Sequence, residues 1–160
     1  YAMGAHITGI KRNIQDKPEY IDKLCTMDSL YDELEKADII VSSLPGSKST
    51  YHLLDEKALT HIKKQPIFVN VGRGTLIDSN ILEKALKEGI FSGAYIDVTD
   101  SEPLPKDSEL WNTNNLIITP HVTGGYHLDE TLNRIVQISA TNIKNYCEGK
   151  EIINRVNLEV

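Results

Sequence analysis

Arg73, Glu102 and His121 each stand in a loop shortly after an apolar run of the sequence. A guanidinium can bind a carboxylate through two parallel hydrogen bonds, and an imidazole, with an ordinary pKa of about 6.5, can transfer a proton near neutral pH. A carboxylate can orient the imidazole through its second ring nitrogen. These residue types could therefore bind a small acid and exchange a proton with it. The alternative is a surface arginine in a tight turn between Gly72 and Gly74, with a structural histidine elsewhere.

The apolar runs that precede these residues are short and rich in β-branched side chains, and helical stretches separate them. The runs are 6–10, 39–44, 67–71, 94–98 and 116–119. Strand and helix in alternation predict an α/β fold with a parallel sheet, and continuous apolar runs predict strands buried on both faces. Ligands of such sheets bind beyond the carboxyl ends of the strands, where the polar residues stand.

Helix signals fill the stretches between the runs. Ser29-x-x-Asp32 predicts a capping box that opens one helix, and residues 79–88 predict another that ends before a glycine. After the last run, residues 129–148 place apolar side chains at helical spacing. This stripe belongs either to a core or to an interface between domains.

Composition excludes several classes of protein. The 160 residues carry a formal net charge of −6, which opposes binding to nucleic acid phosphates. No apolar run is long enough to span a membrane, and no signal peptide opens the sequence, so we expect a cytoplasmic protein. Cys25 and Cys147 lie far apart outside any C-x-x-C pattern, so we expect buried or half-buried thiols and no metal site.

Four motifs follow successive strands, and their order and spacing resemble those of the D-isomer-specific 2-hydroxyacid dehydrogenases. The motifs are Leu44-Pro45-Gly-Ser-Lys-Ser-Thr50, Val71-Gly72-Arg73-Gly74, Asp97-Val-Thr-Asp-Ser-Glu102-Pro and Pro120-His121-Val-Thr-Gly124. The resemblance covers nearly the whole chain. It implies a Rossmann-type parallel sheet flanked by helices, and a hydride transfer between a nicotinamide cofactor and a small 2-oxo or 2-hydroxy acid. Glyoxylate/hydroxypyruvate reductases and phosphoglycerate dehydrogenases are the members it suggests.

The resemblance also implies a role for each catalytic candidate. Arg73 matches the family's substrate-binding arginine, which holds the carboxylate of the 2-oxo acid and polarises its carbonyl. His121 matches the general acid/base, and Glu102 matches the carboxylate that orients its ring. Asp97 matches the residue at the nicotinamide carboxamide, with a carboxylate that caps a turn as the alternative.

The cofactor contacts implied by the resemblance extend along the whole edge of the sheet. They are Leu44, Pro45 and Thr50 toward the adenosine and pyrophosphate, and Val71, Gly72, Arg73, Asp97, His121 and Gly124 around the nicotinamide and its ribose.

Cofactor choice in such folds usually depends on a carboxylate after the second strand, which accepts a hydrogen bond from the ribose 2′-hydroxyl of NAD. Here Lys11-Arg12-Asn13 stands at that place. Two cations favour the 2′-phosphate of NADP. NAD remains the alternative if these side chains form only a solvated loop.

A G-x-G-x-x-G fingerprint normally precedes this position by about 20 residues. The sequence contains none, so we expect an N-terminally truncated Rossmann domain without its first strand and Gly-rich loop. We assign residues 1–124 to the NAD(P)-binding domain, and 125–160 to a helix and tail that return toward an absent substrate domain. We expect this piece to be inactive alone, and the full-length protein to be a homodimer.

Two other functions are compatible with parts of the sequence. A dinucleotide-sensing module of the same family would bind cofactor without turnover, but it has no need for Arg73, Glu102 and His121 together. A Rossmann-type methyltransferase would favour an acid after the second strand and has no use for the Glu102 and His121 pair. We therefore favour the dehydrogenase.

Overall fold

The structure is a computed structural model that describes residues 2–12, 14, 17–125 and 128–155. Asn13 of the Lys11-Arg12-Asn13 segment, His127 and the tail beyond residue 155 lie outside the described residues. The chain divides into two compact units, residues 1–121 and 122–160. No helix among the described residues is long and apolar enough to cross a membrane. The division into functional domains at residue 124 stays a prediction.

The first unit contains two parallel sheets and confirms the α/β class. The strands are β1 (Thr8–Ile10), β2 (Lys23–Cys25), β3 (Ile39–Ser42), β4 (Ile67–Asn70), β5 (Gly93–Ile96) and β6 (Leu116–Ile118). β1 pairs with β2, and the second sheet has the order β3-β4-β5-β6. The helices between strands are α1 (Leu30–Leu34), α2 (Glu56–Thr60) and α3 (Ser79–Lys87). The sequence analysis predicted a helix between β3 and β4 without giving its bounds, and it did not predict β2.

The core lies on one face of the larger sheet. Buried residues of the helices pack there against Phe68, Ala94 and Ile96 of β4 and β5. Crossovers between parallel strands are right-handed, and each step from β3 to β6 runs in the same direction across the sheet, so the helices of these crossovers lie on one face.

The other face of this sheet is uncovered within the described residues. Ile39, Val41 and Ile117 are 61%, 65% and 62% exposed. The prediction that the strands are buried on both faces is therefore wrong for this chain. The physical reason is the uniform direction of the crossovers, which leaves no described helix for the second face.

Local hydrogen bonds decide where the helices begin. The side chain of Ser29 accepts no capping hydrogen bond at α1, so the predicted capping box is wrong. At α3, by contrast, the side chain of Asp78 caps the helix by accepting hydrogen bonds from the backbone N–H groups of Asn80 and Ile81. α3 itself agrees with the prediction, and it ends before Gly89, whose φ of 71° suits a glycine.

A cavity of about 950 Å³ lies beside the facing edges of the two sheets. Thr8 and Ile10 of β1 line it, together with Ile39 and Val41 of β3. In the described part of the chain, β1 forms strand pairs with β2, and β3 forms them with β4. Each of these two strands therefore presents an unpaired edge at the cavity.

Gly72 and Gly74 allow the loop after β4 to pass between its neighbours. A Cβ atom on Gly72 would lie 2.6 Å from the carbonyl oxygen of Leu44, and one on Gly74 would lie 1.8 Å from the backbone of Thr99. Neither glycine has a positive φ. Close backbone approach, rather than a positive φ, therefore requires glycine at both positions.

The second unit is built on α4 (Asp129–Cys147), which confirms the predicted long helix. Asn142 anchors the segment that follows: its amide nitrogen donates to the carbonyl of Ile153 at 3.0 Å, and its amide oxygen accepts from the N–H of the same residue at 2.9 Å. No described residue of α4 is buried. Among the described residues the apolar stripe of α4 therefore forms no core, and Cys147 is exposed rather than half-buried. An interface with another domain stays a prediction.

Replacing Gly74 by alanine should destabilise the fold, because the added methyl group would collide with backbone that cannot rotate away. We expect a loss of about 3 kcal/mol in the free energy of unfolding measured in urea, the upper end for overpacking. Gly46→Ala is the matched control, since its Cβ would make an ordinary 3.5 Å contact with Arg73. Equal stability of the two variants would contradict the account of this loop.

Candidate active site

Glu102 and His121 form the hydrogen-bonded pair that the sequence predicts. The Nδ1 atom of His121 lies 2.8 Å from Oε2 of Glu102. The other carboxylate oxygen, Oε1, accepts from the N–H of Thr99 at 3.1 Å. An ionised carboxylate only accepts hydrogen bonds, so we expect Nδ1 to be the donor in this contact. The side chains are 45% and 39% exposed, so the pair stands at the surface where a ligand can reach it.

The turn after β6 positions His121. Its backbone N–H donates to the carbonyl of Asp97 at 2.9 Å and lies 3.0 Å from the carbonyl of Thr119. Its φ is 51°, in the left-handed region that non-glycine residues seldom adopt. Such outliers concentrate at functional sites, where the surrounding structure stabilises them.

Asp97 is buried, and its backbone contacts the turn that carries His121. The residue is 1% exposed, and its Oδ1 accepts from the hydroxyl of Thr119. Its backbone N–H donates to the carbonyl of Asn70 at 2.9 Å. The candidate cofactor residue is thus fixed through both its main chain and its side chain.

Asn70 holds the loop that carries Arg73. Its side chain accepts from the N–H of Gly72 at 3.1 Å and donates to the carbonyl of Arg73 at 3.0 Å. This amide is completely buried, and the sequence analysis did not identify it. An asparagine at the end of a buried strand was the signal that could have shown it, since a buried amide needs hydrogen-bond partners.

The guanidinium of Arg73 donates to the carbonyl of Gly72 at 2.8 Å. Within the described residues it forms no ion pair with Glu102, so the structure brings together the pair but not all three catalytic candidates. Gly74 nevertheless packs against Thr99, whose N–H binds Glu102. The loop of Arg73 and the Glu102–His121 pair therefore lie at the same end of the sheet, beyond the carboxyl ends of the strands.

The loop after β3 is closed by the hydroxyl of Thr50. This group donates to the carbonyl of Pro45 at 2.8 Å and accepts from the N–H of Ser47 at 2.9 Å. Leu44 approaches Gly72 closely through its backbone. The predicted cofactor residues Leu44, Pro45 and Thr50 thus belong to one compact loop beside that of Arg73.

The remaining cofactor candidates lie at three places. Val71 donates its N–H to the carbonyl of Ser42 at 2.9 Å, which joins the ends of β4 and β3. Lys11 and Arg12 follow β1 and are exposed. Gly124 belongs to the second unit and has a φ of 76°.

The other described histidines make contacts of a structural kind. His6 lies 3.4 Å from Asp22, whose pKa is lowered by the hydrogen bond from the N–H of Ile7. His52 stacks on Tyr51. His61 stacks on Tyr31 and lies 3.2 Å from Glu35.

Comparison with known proteins gives a consistent set of relatives. The chain is 37% identical over 127 residues to a glyoxylate reductase of Korarchaeum cryptofilum, an alignment that covers 79% of this chain and 38% of the relative. It is 35% identical over 136 residues to glyoxylate/hydroxypyruvate reductase B of Yersinia pseudotuberculosis, covering 85% and 40%. The chain thus spans about two fifths of the length of these curated relatives.

Solved structures share the fold over almost the whole chain. A D-isomer specific 2-hydroxyacid dehydrogenase from Xanthobacter autotrophicus Py2, in complex with NADPH and MES, superposes with a TM-score of 0.85 at 28% identity, covering 96% of this chain and 62% of that one. A family member from Aeromonas salmonicida gives a TM-score of 0.81 at 34% identity, covering 98% and 49%.

The family model for the NAD binding domain of the D-isomer specific 2-hydroxyacid dehydrogenases matches residues 1–123. This range includes all the strands and the Glu102–His121 pair. The chain belongs to the D-isomer specific 2-hydroxyacid dehydrogenase family and carries its NAD binding domain.

Proposed function

We propose that the chain forms the nucleotide-binding and catalytic part of an NAD(P)H-dependent reductase of small 2-oxo acids. The observation that carries the proposal is the 2.8 Å contact between Nδ1 of His121 and Glu102. This contact lies at the same end of the sheet as the Arg73 loop. Glyoxylate and hydroxypyruvate are the substrates we favour, because relatives with those names align with most of this chain.

In the proposed reaction each residue has a separate task. Arg73 binds the substrate carboxylate and draws electron density from the adjacent carbonyl. Glu102 fixes the imidazole and stabilises its protonated form, so that Nε2 of His121 donates a proton to the carbonyl oxygen. When bound, the reduced nicotinamide supplies the hydride to the carbonyl carbon. In the reverse direction His121 accepts the proton of the hydroxyl group.

The residues beyond the carboxyl ends of the strands fit a dinucleotide. Backbone and hydroxyl groups of the loop 44–50 lie beside the Arg73 loop, and the carboxylate of Asp97 is held nearby for the carboxamide. Lys11 and Arg12 are exposed cations that would bind a 2′-phosphate. The solved relative from X. autotrophicus contains NADPH. We therefore propose NADP as the preferred cofactor.

The functional unit that we propose is longer than this chain. The cavity beside the facing edges of β1 and β3 suits one further parallel strand, because each edge presents unpaired backbone groups. The curated relatives are also much longer than the matched segment. A cytoplasmic location and a homodimer stay predictions.

Replacing Glu102 by glutamine should lower kcat/KM for 2-oxo acid reduction by about ten- to a hundred-fold near neutral pH. The amide keeps the shape but loses the charge, so its hydrogen bond with the ring is weaker. Steady-state kinetics of the intact enzyme would measure the loss. Glu109→Gln changes a charge outside the pair and serves as the control. An unchanged kcat/KM in Glu102→Gln would contradict the proposed role.

Replacing Arg12 by aspartate should move cofactor preference toward NADH. A carboxylate repels a 2′-phosphate and accepts from a ribose hydroxyl, so we expect the ratio of kcat/KM for NADPH over NADH to fall by at least about ten-fold. Lys63→Asp makes the same charge change at an exposed site after α2 and should leave the ratio unchanged. A wild-type enzyme that already uses NADH several times better would refute the preference.

The isolated 160-residue chain should bind dinucleotide weakly and reduce no 2-oxo acid. It contains no G-x-G-x-x-G loop, whose N–H groups and following helix would bind the pyrophosphate. A few remaining hydrogen bonds of about 1 kcal/mol each do not replace that anchor. Isothermal titration with NADPH and NADH, and absorbance assays with glyoxylate and hydroxypyruvate, would measure both properties. Micromolar binding or turnover would show that the functional unit is smaller than we propose.

A further inference from the structure

Two hydroxyl groups form a hydrogen-bonded chain to the buried carboxylate of Asp97. The phenol oxygen of Tyr95 lies 2.9 Å from the hydroxyl of Thr119, which in turn contacts Oδ1 of Asp97. Asp97 directly follows β5 and stands two residues after Tyr95, so the extended chain places both side chains on the same face. The pairing of Tyr95 with Ile117 continues to place Thr119 beside Asp97.

The direction of these hydrogen bonds follows from the chemistry of the groups. An ionised carboxylate only accepts, so Thr119 gives its single hydroxyl proton to Asp97. Thr119 must then accept at its oxygen, and Tyr95 is the donor. Two hydroxyls aligned in this way polarise each other, which strengthens the contact with the carboxylate.

Main-chain hydrogen bonds already fix the backbone of Asp97. Its N–H donates to Asn70 and its carbonyl accepts from His121, both at 2.9 Å. The contact with Thr119 restricts rotation about the side-chain bonds of Asp97. The hydroxyl of Tyr95 restricts Thr119 in the same way, because a threonine hydroxyl can otherwise rotate to another acceptor.

We propose that Tyr95 and Thr119 are positioning residues that hold the Asp97 carboxylate in the orientation required by the nicotinamide end of the dinucleotide. The inference rests on the proposed function, in which Asp97 binds the carboxamide. Thr119 acts on Asp97 directly, and Tyr95 acts through Thr119. A role limited to packing would depend on the phenyl ring of Tyr95, whereas this role depends on its hydroxyl.

The test uses the intact enzyme and two ligands. The first is NADPH or NADH, whichever the enzyme prefers, and the second is the matching ADP-ribose or 2′-phospho-ADP-ribose, which lacks the nicotinamide. Tyr95→Phe and Thr119→Val each remove one hydroxyl, and Thr119→Ser retains it. Tyr20→Phe removes a hydroxyl from an exposed tyrosine and is the matched control. Unfolding midpoints of all the variants are measured alongside.

Tyr95→Phe should weaken binding of the dinucleotide about five-fold, and Thr119→Val about ten-fold, as expected for the loss of one hydrogen bond that orients a charged group. Binding of the nicotinamide-free ligand should stay within about two-fold of wild type for both variants. Thr119→Ser and Tyr20→Phe should bind both ligands like wild type.

Two results would overturn the inference while leaving the proposed function intact. One is unchanged dinucleotide affinity in Tyr95→Phe and Thr119→Val. The other is an equal loss of affinity for both ligands, which would show a structural role alone. A wild-type enzyme that binds neither ligand would instead refute the proposed function, and this inference with it.

Discussion

The candidate site depends on the backbone of Asp97, which is hydrogen-bonded to both neighbouring strand ends. Its N–H binds the end of β4 through Asn70, and its carbonyl binds the turn after β6 through His121. The chain that leaves Asp97 then reaches Glu102, whose carboxylate binds the ring of the same histidine. The buried Asp97, directly after β5, therefore fixes the backbone position of His121 and the point from which the chain runs to Glu102.

Close backbone packing extends this constraint to the arginine. Gly74 brings the Arg73 loop against Thr99, and Gly72 brings it against Leu44. The side chain of Asn70 provides hydrogen-bond partners for two backbone groups of this closely packed loop, the N–H of Gly72 and the carbonyl of Arg73. Three loops are thereby held at fixed spacing by main-chain contacts, while the side chains of Arg73 and His121 remain available for chemistry.

Much of this arrangement can be predicted from the sequence, because strand and helix signals are local and the motifs are strong. β3 to β6, α3 and α4 agree with their predictions, and the contact of Glu102 with His121 was expected. β2 was not predicted because Lys23–Cys25 is only three residues long and begins with a charged side chain.

The tertiary features could not be predicted for another reason. Burial on one face of the sheet, the close approach at Gly72 and the hydrogen-bonded chain from Tyr95 to Asp97 depend on neighbours distant in sequence, which no local pattern records.

The tautomer of His121 tests the central claim most directly, because the proposed chemistry requires Nδ1 to hold its proton toward Glu102 and Nε2 to exchange one with substrate. Long-range ¹H–¹⁵N correlation spectra of the histidine-labelled intact protein report which nitrogen of a neutral imidazole is protonated. Both residues of the pair lie in the unit formed by residues 1–121. His121→Asn would assign the signals. The account predicts that the neutral ring carries its proton on Nδ1, and a neutral ring protonated on Nε2 would contradict it.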